Sequence, residues 1–147
     1  MELTDLLGAL VEHNTTGKGY QIQFNSGNLD KEANKSTDVE FGDLFFTNCS
    51  ILNSSVLRYG ILNKSTLCFD NTNRKPIAQK EDGTNLYPME INSHMFLDIS
   101  KIEAIEDVKD FDDWFEFPSS RVINIYMLPE DNHMNGNRNV VTIGFMA

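Results

Sequence analysis

The feature that most constrains this chain is a change of hydrophobic period: one helical stripe at its start, and period two through most of the remainder. Leu3, Leu6, Leu7, Leu10 and Val11 recur at i, i+3, i+4, i+7 and i+8, which predicts an amphipathic helix over about residues 2 to 13 with all five side chains on one buried stripe. Glu2 and Asp5 suit the positive end of its macrodipole, and Asn14 and Gly17 come next as stop signals. A helix this short does not hold by itself in water. Its stripe packs on a sheet or, equally, on a second copy of the chain, so a homo-oligomer is one arrangement to test. From Tyr20 the pattern alternates, with Tyr20, Ile22 and Phe24 on one side and Gln21, Gln23 and Asn25 on the other, as in a half-buried strand.

Ser26 to Asp38 is polar and reads as a long loop. Apolar runs return at Val39 to Leu52, Val56 to Leu62 and Thr66 to Phe69, separated by Asn53-Ser54-Ser55 and Asn63-Lys64-Ser65, both of them turn chemistry. Ile51 to Leu57 is echoed ten residues later by Ile61 to Leu67. The five-residue spacing of Phe41, Phe46, Ile51, Val56, Ile61 and Thr66 resembles pentapeptide-repeat β-helices over about 30 residues, but a solenoid needs several stacked repeats. Two similar hairpin corners in a meander account for the echo. Residues 70 to 93 read as a surface excursion with a small hairpin at Asp82-Gly83. Met95 to Val108 reads as strand, tight turn at Ser100-Lys101, strand. Arg121 to Leu128 and Asn139 to Met146 are the last two strands. The expected fold is mainly β: an antiparallel meander or small β-barrel of about seven strands with one N-terminal amphipathic helix, as a single domain over 1–147.

A short N-terminal helix, a bent meander and the strand, one-turn break and strand of Leu97-Asp98-Ile99-Ser100-Lys101-Ile102-Glu103-Ala104-Ile105 resemble the SH3-like and Sm-like small β-barrels. The resemblance spans residues 2 to 108 in pattern and implies a barrel fold. Sm-like barrels commonly bind RNA through loop residues, but no match to those loop motifs is present, so fold and not function is what carries over.

Twenty-two Asp and Glu against 12 Lys and Arg give a net charge of -10 and a pI near 4.6. That balance disfavours nucleic acid and anionic membranes as partners and favours a basic protein. No run of 18 apolar residues is present, and Glu2 and Asp5 stand where a signal peptide would carry Lys or Arg, so the expectation is a cytoplasmic protein with no membrane contact. Sixteen Asn residues and five Asn-x-Ser/Thr sequons suggest AT-rich coding DNA and a bacterial or phage source. Cys49 and Cys68 lack a C-x-x-C spacing and read as buried free thiols. His13, His94 and His133 form no H-E-x-x-H or H-x-H pair. Nucleophile elbows and phosphate-binding glycine loops are also missing, so no metal, cofactor or catalytic residue is expected. His94 and Asp98 could share a strand face as an acid/base pair, but such pairs usually arise without function.

The most informative stretch is Lys101 to Phe117, where seven carboxylates face two lysines and supply half the net charge. Four aromatics, Phe111, Trp114, Phe115 and Phe117, are interleaved with them, and a purely solvated loop does not explain these. Either they cover the core, or they form an anchor ringed by carboxylates that receives a basic surface. The candidate partner-binding residues are Glu106, Asp107, Asp110, Asp112, Asp113, Trp114, Phe115 and Glu116. The function expected is that of a non-enzymatic intracellular interaction protein of the immunity, inhibitor or adaptor type, which presents this segment to a basic protein partner. The alternative is a small-barrel module binding a small ligand or nucleic acid through its loops, with Arg74, Lys75 and Lys80 as its basic group.

Overall fold

The computed structural model describes residues 1–28, 44–52, 56–57, 60–61, 65–71, 76, 78–86, 94–112, 114–129 and 137–147. The single helix among them, α1 (Leu3–Asn14), starts where the Asp5 carboxylate accepts the Glu2 backbone N–H at 3.2 Å. Leu6, Leu10 and His13 are buried and Leu3, Leu7 and Ala9 pack partly against the core, but Val11 is 58% exposed. The expected stripe is therefore corrected by a turn towards His13: at 100° per residue Val11 lies roughly 120° from the centre of the Leu6 and Leu10 face. The helix end is bonded to the strand below it. Asn14 Nδ2 donates to the carbonyl of Cys49 at 2.6 Å while its Oδ1 accepts the Cys49 N–H at 3.2 Å.

Every strand pairing is antiparallel. Strand β1 (Tyr20–Asn28) runs past Ser26 to pair Asn28 with Asn137, so the first part of the expected loop is strand; 29–38 lie outside the described residues. The main sheet has the order β10-β11-β12-β1-β2, with β2 (Leu44–Phe46), β10 (Ile102–Val108), β11 (Ser119–Met127) and β12 (Asn137–Met146). A second sheet orders β3 (Asn48–Leu52), β6 (Thr66–Asp70) and β9 (His94–Asp98). Beyond β3 and β6, the short strands β4 (Val56–Leu57) and β5 (Gly60–Ile61) pair with each other. Val56 meets Ile61, where the β3–β6 register carried onward would give Leu62. The described parts of the echo are thus paired strands, β3 with β6 and β4 with β5. Asn53, Ser54, Ser55, Asn63 and Lys64, expected as corners, lie outside the described residues.

The small hairpin is where the turn residues placed it. Strands β7 (Ala78–Gln79) and β8 (Asn85–Leu86) pair across a turn in which Gly83 has φ +88 and the Asp82 carboxylate accepts the Thr84 N–H. Positive φ is the conformation glycine adopts without strain.

The closure expected of a small barrel is not found among the described residues: β10 and β2 are the edges of the five-stranded sheet, and the three-stranded sheet and the β4–β5 and β7–β8 pairs are separate from it, so neither a barrel nor a count of seven strands is established. Met95 to Val108 is strand, tight turn and strand, as its sequence predicts. β9 pairs with β6 in one sheet and β10 with β11 in the other, and the 3-10 turn Ile99–Lys101 between them is a crossing from sheet to sheet. Asp98 caps that turn by accepting Ser100 N–H at 2.9 Å.

The core lies between the two sheets and is covered at one end by α1. It joins Leu6 and Leu10 with Tyr20, Ile22, Phe46, Cys49, Leu67, Phe69, Leu97, Ile123, Ile125, Val141, Ile143 and Phe145. Tyr20 and Phe69 meet edge to face at 5.4 Å, and this ring geometry adds to their area burial. Phe96 is 37% exposed because strand alternation turns it away from Leu97. Leu128, one residue past β11, is 42% exposed. No helix of the described residues is long and apolar enough to cross a membrane.

Candidate interaction site

Gln21 and Gln23 alternate with Tyr20 and Ile22 and so point to the other face of the main sheet, where a half-buried strand would leave them in water. They are instead 0% and 5% exposed. Segment 111–119 lies over them. Gln21 Nε2 donates to the carbonyl of Phe117 at 2.7 Å and reaches Ser119 Oγ at 3.1 Å, and its Oε1 accepts the Phe117 N–H at 3.2 Å. Gln23 Nε2 donates to the carbonyl of Trp114 at 2.7 Å. Burial of two amides is tolerated because each is spent on backbone groups that would otherwise be unpaired.

Beside Gln21 the segment needs room, and the cross-strand partner of Gln21 on β12, Gly144, provides it. A Cβ built there would lie 2.8 Å from the Phe115 ring and 2.8 Å from Ser119 Oγ. The ring therefore rests where no other residue type leaves space, the close approach that an isolated glycine inside a strand marks. The Pro118 carbonyl accepts Ala147 N–H at 3.0 Å, and the Trp114 N–H donates to the Phe111 carbonyl at 3.2 Å. Phe117 packs edge to face on Phe45 at 5.6 Å. The segment is a strap fastened to the sheet.

Its outer surface forms a cleft of about 460 Å³ lined by Phe111, Asp112, Trp114, Phe115, Glu116, Phe117, Pro118 and Ser119. Asp110, Asp112 and Glu116 are exposed, and Trp114 and Phe115 are half-buried. Phe115 lies against the Gly144 position and Phe117 against Phe45, while the backbone of Trp114 is held by Phe111 and Gln23; all three residues are half-buried. Asp113 lies outside the described residues.

The remaining two candidates, Glu106 and Asp107, turn to opposite faces of β10. Glu106 Oε1 accepts from Tyr126 Oη at 3.1 Å and Asn124 Nδ2 at 3.2 Å. Burial, and then the Glu106 carboxylate beside it, push the Tyr126 phenol up to about 12. Thr142 Oγ1 donates to Asn124 Oδ1 at 2.6 Å and accepts from Asn25 Nδ2 at 3.0 Å, so one chain of hydrogen bonds crosses four strands. Asp107 takes both Nε and Nη2 of Arg121, at 3.1 and 2.9 Å, and holds that guanidinium above its ordinary range. This pair lines a groove of about 640 Å³ beside Asp5, Gly8 and Glu12 of α1. With both partners substantially exposed, the pair contributes little to stability. Glu103 is likewise held by Arg138, which keeps its carboxyl below the usual range.

Other sequence candidates find separate partners. His94 stacks on Phe96 with ring centroids 5.9 Å apart, and the Asp98 carboxylate caps Ser100, so the two are engaged apart from each other. Cys49 and Cys68 are buried free thiols. Burial and then the nearby Asp70 push Cys68 up to about 11, and burial raises Cys49 further. Among the described residues no group of three or more His, Cys, Asp or Glu is arranged to hold a metal ion. Arg74, Lys75 and His133 lie outside the described residues, and Lys80 is exposed in the β7–β8 turn.

Sequence reasoning missed Gln21, Gln23 and Gly144. Only Gly144 left a signal, as a lone glycine in an otherwise apolar strand. Comparison of the chain with protein-family models, with curated proteins and with solved structures gives no match.

Proposed function

We propose that this chain is a non-enzymatic intracellular interaction protein, of the immunity, inhibitor or adaptor type, which presents the strap 110–117 to a basic protein surface. One observation carries the reading. The strap is fastened from beneath by Gln21, Gln23 and the Phe115 ring over Gly144, while Asp110, Asp112 and Glu116 are exposed around a half-buried Trp114. A surface held in place before binding loses little conformational freedom on association, and carboxylates on its rim steer a cationic partner. Net charge of -10 extends that field over the whole molecule. Glu106 is bonded to Tyr126 and Asn124, and Asp107 to Arg121 in the groove beside α1, so the proposed contacts are those of the strap.

The test is a paired capture from native host lysate with the wild-type chain and an Asp110→Asn, Asp112→Asn, Glu116→Gln variant, followed by association kinetics on the retained protein. A basic partner whose association slows by about tenfold or more in the variant at low salt supports the reading. The difference shrinks above physiological ionic strength, where charges are screened over about 8 Å. A partner bound by both forms with equal, salt-independent rates overturns it.

A further inference from the structure

We infer that the strap cleft receives a single arginine side chain of the basic partner. This rests on the reading of the strap as the binding surface, and it names the group recognised there. The cleft combines aromatic walls from Phe111 and Trp114 with two exposed carboxylates, Asp112 and Glu116. A neutral apolar ligand would take water from the exposed carboxylates and offer them no hydrogen bond, and a phosphate would be repelled by them. A cation satisfies both features. Between the two protein cations, guanidinium is the weakly hydrated, planar one: it stacks on an indole face and offers several N–H donors to carboxylates at its edge. A lysine ammonium gives up more hydration on entering an aromatic cleft and meets a carboxylate only as a point charge.

The backbone around Trp114 supports the same occupant. Its N–H is taken by the Phe111 carbonyl and its own carbonyl by Gln23, so the indole is presented from a main chain bonded on both sides. Phe115 and Phe117 are spent on Gly144 and Phe45. Trp114, with Phe111 beside it in the cleft lining, is the stacking partner that the proposal assigns to the guanidinium.

Trp114 is the one tryptophan in the chain, so its indole N–H resonance reports on the cleft without labelling of partners. The full-length protein is titrated with acetyl-Gly-Arg-Gly-amide, with its lysine counterpart, and with the citrulline counterpart, which keeps the shape of arginine but not its charge. A saturable shift of the Trp114 indole signal by the arginine peptide is expected, with an apparent Kd on the order of 1–10 mM. The lysine peptide should bind at least about threefold more weakly, and the citrulline peptide should give no saturable shift. An Asp112→Asn, Glu116→Gln variant with an unchanged amide spectrum should lose the arginine response. Equal responses to arginine and citrulline, or no saturable response to any peptide, overturn the inference. If the captured partner still shows charge-dependent association in that case, the proposed function stands and only the arginine assignment falls. If its association is also charge-independent, both fall.

Discussion

The two faces of the five-stranded sheet are both buried, but by different physics. On the inner face Tyr20, Ile22, Ile123, Ile125, Val141, Ile143 and Phe145 pack against α1 and the second sheet. On the outer face the polar Gln21, Gln23, Asn124 and Thr142 are just as inaccessible, side by side with the apolar Val122, Val140 and Met146. The inner face is held by area removed from water, which is non-directional and accepts several side chains of similar volume. The outer face adds directional bonds from Gln21 and Gln23 to backbone atoms of Trp114 and Phe117, and these decide where the strap lies and not merely that something covers the sheet.

The largest effect should come from opening the inner face. Phe145 packs against both His13 and Tyr20, at 5.1 and 5.5 Å, so Phe145→Ala should cost about 3–5 kcal/mol in denaturant unfolding. Fluorescence of Trp114 should change only in the global transition. A separate, earlier loss of the Trp114 signal would mean that the two faces are not distinct in this way.

Crowding the outer face comes next. Gly144→Val drives a side chain into the Phe115 ring and should cost about 1–3 kcal/mol. In contrast with the first variant, its native state should already show altered Trp114 emission, because the strap has to lift. Native emission identical to wild type would show that the ring can move aside without freeing the strap. Gln21→Leu removes the donor to the Phe117 carbonyl and the acceptor of its N–H, for about 1–3 kcal/mol. Hydrogen exchange should quicken at Phe117 while the amides of β11 and β12 stay protected.

The smallest effect sharpens the inner face. His13 donates Nε2–H to the Gly19 carbonyl at 2.8 Å, and burial, with Lys18 also opposing the charged form, holds its pKa below the ordinary value of 6.5. The unfolded chain then binds the proton more readily than the folded one. The contribution of His13 is fully present above pH 6.5 and is lost as pH falls through the folded value. Unfolding free energy measured downward from pH 7.5 should decline once pH drops below 6.5, and His13→Gln should flatten that slope. An unchanged slope in the variant would assign the decline to other groups.

How much was legible can be seen at single residues. Asp82-Gly83 specified its hairpin because a turn with positive φ is a matter of a few adjacent residues. Strands β11 and β12 were readable from alternation and apolar runs for the same local reason. Ser100-Lys101 was legible as a turn, but not the fact that it joins strands of two different sheets, since a 3-10 turn between paired strands and one between two sheets have the same local chemistry. Val11 was misplaced because a five-residue stripe is wider than the face that the core can cover. Glu106 and Asp107, adjacent in an acidic run, look alike in sequence and are separated only by the faces of β10 and by partners from β11.

The alternation from Tyr20 onward and the single helical stripe by themselves determined a mainly β chain with one helix, because hydrophobic period is a property of neighbouring residues. The division of the strands among separate sheets, the crossing at Ile99–Lys101 and the fastening of Phe115 over Gly144 were decided only in the tertiary structure. Gln21 and Phe117 are 96 positions apart in the chain. A buried glutamine becomes favourable only after the backbone that it bonds has been brought to it, and nothing in the residues around Gln21 carries that information.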